Sequence, residues 1–174
     1  MIFKGLKFAV ARKKLSSLTE NRSLPHYQVP IQSMGLIVDP RNQKVISAIK
    51  EMANKMQISK SNFKIVIVGE TDILEDEADL LNLTWKGVNI KAEIIQADLK
   101  DFIIKEFDLL ITFAEENNLL AHLVAASSKA GIKAGRYVKN EALFDVILQA
   151  EEDVTLFVEE LSKYLKQLKL TADV

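Results

Sequence analysis

The 174-residue chain has no cysteine, which excludes disulfides, thiolate-bound metals and cysteine nucleophiles. Histidine is limited to His26 and His122, and neither has a second ligand at helical spacing, so no metal site is expected. Glycine is scarce, at 6 residues, and neither G-x-G-x-x-G nor G-x-x-x-x-G-K-[ST] occurs. Phosphate cradles are built from such backbone, so dinucleotide and P-loop nucleotide binding are not expected, and no cofactor is assigned. A G-x-S-x-G nucleophile elbow is missing as well, and Ser127-Ser128 sits in an alanine-rich helical run as packing residues. Long apolar runs are absent: residues 8–11 are cut short by Arg12, too early for a secretory signal. No later stretch approaches the roughly 20 apolar residues of a membrane span. A cytoplasmic location follows as the expectation.

What the chain does have is a globular composition, 48% apolar and 27% charged, which is too hydrophobic for disorder. The net charge is only −1, but it is unevenly placed: Lys4, Lys7, Arg12, Lys13, Lys14 and Arg22 stand against Glu20 alone in residues 1–22. On a helical wheel Ile2, Phe3, Leu6 and Val10 share one arc, whereas Phe8, Leu15 and Leu18 fall away from it among the lysines. Such a wheel is too mixed for membrane insertion and too apolar for a free tail. Residues 1–18 are therefore expected to form a basic arm or helix that docks on its own domain, on a protein partner or on a second copy of the chain, and residues 19–33, with Asn21, Ser23, Pro25 and Pro30, to be an irregular connection that completes the N-terminal segment 1–33. Its basic side chains should point outward or meet the acidic remainder, and nucleic acid is not an expected partner.

Residues 34–174 read as one α/β domain. The run 34–38 is a buried strand ended by Asp39-Pro40, with Asp as N-cap and Pro at the first position of a helix. Val45, Ile46, Ile49, Met52, Ala53 and Met56 recur at helical spacing. Residues 63–68, dense in β-branched side chains and closed by Gly69, give the strongest strand signal. The acidic stretch after Gly69, continued by Leu80, Leu81 and Leu83, predicts a short helix with Asp72 and Glu75 as a capping pair. Residues 92–97 predict a third strand and 107–113 a fourth, separated by an apolar turn at Phe102-Ile103-Ile104. A helix follows, with Leu119, Leu120, Leu123 and Val124 on it and Gly131 closing it at C′. Residues 132–136 and 145–148 are strands, and Val154, Phe157, Val158, Leu161, Leu165 and Leu168 form the stripe of a closing helix. Strands alternating with helices imply a three-layer sandwich on a five- or six-stranded, mainly parallel sheet, flavodoxin-like in shape, with the N-terminal arm or helix attached.

In open parallel sheets, ligands collect at the carboxyl ends of the strands. The candidate binding residues there are Asp39, Arg41, Glu70, Asp72, Glu115 and Asn117, with Thr71, Asp98, Glu116 and Arg136 nearby in the same turns. Several have structural duties to weigh against this: Asp39, Asp72 and Asn117 suit helix caps, and Glu115 and Glu116 suit a helix dipole.

The run Phe107-Asp108-Leu109-Leu110-Ile111, then Leu120, Ala125, Ser127 and Ala130-Gly131-Ile132-Lys133-Ala134-Gly135, resembles an uncharacterised bacterial family, a domain of unknown function. The likeness runs mainly over residues 107–170, through Glu159-Glu160-Leu161-Ser162-Lys163-Tyr164-Leu165 of the closing helix. It implies a fold and carries no catalytic position. Two functions remain open from the residues: a non-enzymatic interaction or scaffold protein, and a small-molecule binder or metal-dependent enzyme with its site at the strand ends.

Overall fold

Residues 63–68 lack polar alternation and fold as β2 (Phe63–Val68), buried along nearly its whole length. It pairs in parallel with β1 (Met34–Val38) on one side and with β3 (Leu80–Leu83) on the other. Beyond β1 come β4 (Leu109–Phe113), β5 (Ile132–Gly135) and the short β6 (Val146–Ile147), again all parallel. The structure is a computed structural model that describes residues 2–25, 29–42, 44–72 and 80–172. The resulting six-stranded sheet has the order β3-β2-β1-β4-β5-β6. The chain builds outward from β1 to β3, then returns to the other flank of β1 as β4, so the order reverses between β1 and β4.

Strand alternation separates two cores. Met34, Leu36 and Val38 face α2 (Lys44–Lys55) and α5 (Val154–Ala172), which bury Val45, Ile49, Met52, Phe157, Leu161 and Leu165 against them. Ile37, Val66, Val68 and Leu110 face α3 (Ala97–Ile104) and α4 (Leu119–Ser127). Gly35 is on this second face, where a Cβ would stand 2.9 Å from Leu110 Cδ1 and 3.1 Å from Phe102 Cζ. A side chain there would displace the Phe102–Phe107 ring pair, whose centroids are 5.1 Å apart. The molecule is the expected α/β sandwich, with α1 (Ile2–Glu20) laid over α4.

Five local expectations need correcting. The third strand is Leu80–Leu83, while residues 92–97 form a loop with one antiparallel bridge, Val88 to Ile94, and enter α3. Only one edge position is open beside β2, and Leu80–Leu83 takes it by parallel backbone pairing, with Asn82 also donating its side-chain amide to Ile67 O and Gly69 O, both at 3.0 Å. Phe102-Ile103-Ile104 is the last turn of α3, because Leu99 and Phe102 have helical spacing and both are buried. The helix before β5 ends at Ser127; Gly131 N donates to Phe107 O at 2.8 Å, so Gly131 leads into β5. Asp39 caps with Pro40 in first position as expected, but what it caps is a 3-10 turn, Pro40–Asn42, set before α2. The helix expected with Asp72 and Glu75 falls largely on residues 73–79, outside the described residues, and its far end, Leu80–Leu83, is strand β3 instead.

The fifth correction is α1 itself. Phe8, Val10, Ala11, Leu15 and Leu18 turn inward, with Ala11 fully buried, while Leu6 is 51% exposed. Lys7 and Lys14 also turn inward, neither outward nor to an acidic partner as expected: Lys7 Nζ donates to Val88 O at 2.6 Å and Trp85 O at 3.2 Å, and Lys14 Nζ to Ala92 O at 3.0 Å, whereas Arg22 does meet an acidic residue, Asp145. Two lysines on the packed face explain the poor wheel. Their stems lie along apolar surface and their ammonium groups satisfy loop carbonyls.

Val66 is fully buried at the centre of the sheet, so Val66→Asp would place an unpaired carboxylate there. The penalty, several kcal/mol, is comparable with the roughly 5–15 kcal/mol stability of a domain. Soluble expression of this variant should be lost; normal yield with unchanged melting would contradict the buried position of β2.

Candidate functional site

A crevice of about 520 Å³ opens at the carboxyl ends of the strands, at the point where the strand order reverses. The turn after β1 lines it with Asp39, Pro40 and Arg41, and the turn after β2 with Gly69 and Glu70. Thr84 and Trp85 contribute from the turn after β3, and Glu115, Asn117 and Asn118 from that after β4.

Asp39 is the floor of this arrangement and is only 3% exposed. Its Oδ1 accepts the backbone N–H groups of Arg41 (3.1 Å) and Asn42 (3.2 Å), and its Oδ2 accepts that of Glu115 at 2.7 Å. One carboxylate thus caps its own turn and tethers the β4 turn to it. Gly69 closes the β1–β2 side: with φ at +141°, it lies where a Cβ would be 2.9 Å from the Pro40 ring. Asn118 closes the β4 side, accepting from Ala121 N at 3.1 Å as the N-cap of α4 and donating to Val68 O at 3.2 Å.

Further polar groups lie above this floor. Arg41, Glu70 and Asn117 are exposed on the lining, and Glu115 is half-buried. Glu115 Oε1 is 4.0 Å from Arg136 Nη2 and 3.5 Å from Asn42 Nδ2. Arg136 is fully enclosed behind it, its guanidinium 3.9 Å from the Phe113 ring centroid and donating to Ala114 O and Glu151 O. Asp39, Arg41, Glu70, Glu115 and Asn117 therefore come together, whereas Asp72 is exposed and outside the lining. Among the described residues, no group of three or more His, Cys, Asp or Glu side chains could hold a metal ion.

Thr84 and Trp85 were not legible as site residues, because their position depends on β3 being Leu80–Leu83. Asn118 carried a signal in hindsight: it is an N-cap type directly before the apolar helix run, one residue beyond the selected Asn117.

Two buried titratable groups lie away from the crevice. His122, 3% exposed on α4, has Asn140 Nδ2 3.2 Å from its Nε2, and burial pushes its pKa down to about 4 against a smaller opposing hydrogen bond to the Asn118 backbone. Lys133, 4% exposed on β5, is lowered to about 8 by burial and by Arg22, with Asp145 opposing. Arg22 in turn pairs with Asp145.

No helix among the described residues is long and apolar enough to cross a membrane. No curated protein and no solved structure matches the chain. A family model does: residues 7–168 match the family of unknown function DUF6913, and the chain belongs to that family.

Removing the Asp39 carboxylate strands the Arg41 and Glu115 backbone N–H groups, while Asn42 N–H keeps Asp39 O at 3.2 Å, so Asp39→Ala should cost roughly 2–4 kcal/mol in urea unfolding. Asp39→Asn keeps one acceptor oxygen and should lose less; equal stability of both variants with the native protein would show that the tether is dispensable. For His122, the folded pKa of about 4 lies below its ordinary value, so the unfolded chain binds the proton first on acidification. Its contribution is complete above about pH 6.5 and is lost as pH falls toward 4. Melting temperatures measured across this window should fall less steeply in His122→Gln than in the native protein.

Proposed function

We propose that this chain is a small-molecule-binding domain that holds a ligand with a cationic nitrogen in the crevice between β1 and β4. The observation that carries this is the lining itself: Glu70, Glu115 and the aromatic Trp85 border one crevice of about 520 Å³ at the reversal of strand order. Carboxylates attract an amine or guanidinium, and an indole face adds cation–π attraction. Arg41 is an opposing cation on the rim, suited to a carboxyl or hydroxyl group elsewhere on the same ligand. General acid/base or metal chemistry draws less support, because both Asp39 oxygens are occupied by backbone N–H groups. A scaffold role for the N-terminal segment also draws less support, since α1 turns its apolar side onto its own domain.

Trp85 is the only tryptophan in the chain, so its fluorescence reports directly on the crevice. Titration with agmatine or choline should change Trp85 emission to saturation, and Glu70→Gln should weaken the response by about tenfold, the value of one charge-assisted contact. Inorganic phosphate and adenosine monophosphate should leave emission unchanged. Saturation by the anions instead of the amines, or an unaltered response in Glu70→Gln, would overturn the assignment.

A further inference from the structure

Trp85 sits on a single 3-10 turn, Trp85–Gly87, whose first carbonyl and following carbonyl, Trp85 O and Val88 O, both accept from Lys7 Nζ. Phe8, the next residue of α1, stacks on the Trp85 ring with centroids 4.5 Å apart and planes tilted by 38°. Lys7 and Phe8 are distant in sequence from the crevice, and neither lines it. Both reach Trp85, the one aromatic residue that does. Lys14 ties α1 to the same loop farther along, at Ala92 O.

We infer that α1 is the positioning element of the crevice wall: Lys7 fixes the turn that carries Trp85, and Phe8 fixes the ring. Seating of α1 and occupancy of the crevice are then linked, each strengthening the other by the same factor. The linkage rests on the crevice being a ligand site; the fixing of Trp85 does not.

Because of that difference, the experiment has two readouts, Trp85 emission without ligand and agmatine half-saturation. Phe8→Ala and Lys7→Met should shift emission to longer wavelength, increase quenching by acrylamide, and raise agmatine half-saturation several-fold. Lys7→Arg, which keeps a donor to the two carbonyls, should restore both. Lys14→Met should lower the melting temperature while leaving emission and half-saturation unchanged. In the native protein, agmatine should slow amide hydrogen exchange along α1. If Phe8→Ala and Lys7→Met lower only the melting temperature, as Lys14→Met does, α1 is merely structural and the inference falls. It falls equally if Lys14→Met changes Trp85 emission as much as they do. A native protein that does not respond to agmatine defeats the ligand assignment alone, and the emission shifts then decide the positioning role by themselves.

Discussion

The Asp39 carboxylate joins two turns that the sheet topology drives apart. After β1 the chain leaves toward α2, and after β4 it leaves toward α4 on the opposite face of the sheet. A gap between neighbouring parallel strands follows from that divergence. Left open, it would expose the N–H groups of both turns; Asp39 accepts Arg41 and Asn42 from one and Glu115 from the other. A carboxylate this buried is tolerated because those donors replace its lost hydration. The crevice above it inherits a fixed floor, closed on its flanks by the Gly69–Pro40 contact and by the Asn118 bond to Val68 O.

The second constraint is the nature of α4. Leu120 through Ala125 are all buried, so this helix has no solvent face. A helix apolar all round must be covered on both sides, and the sheet covers one side while α1 covers the other. That requirement brings the N-terminal residues over the β3–α3 loop, where Phe8 meets Trp85. A packing need far from the crevice therefore places part of the N-terminal helix behind the crevice wall.

The parallel sheet, the α2 and α5 stripes, and most of the strand-end polar set could be read directly from the residues. Each depends on local periodicity or on one residue type next to another: β-branched runs at 63–68, three- and four-residue spacing from Val45 to Met56, Asp39 before Pro40. The failures share a cause. Residues 92–97 look like a strand, yet the parallel pairing of Leu80–Leu83 with β2 fills that edge, reinforced by the Asn82 side-chain bonds to the β2 backbone. That single error also hid Thr84 and Trp85. The α1 wheel misled because lysines were assumed to seek water, whereas Lys7 and Lys14 find carbonyl partners more than seventy residues away.

By itself the sequence determined the fold class, the two-sided burial of the sheet and the absence of cysteine and of glycine-rich loop motifs, because these follow from composition and from short-range periodicity. Only the tertiary structure decided the strand order, the edge strand beside β2, the occupation of Asp39 by distant amides and the joining of α1 to Trp85. These are pairings between residues far apart in the chain, and the energy that selects among competing partners comes from contacts no local window contains.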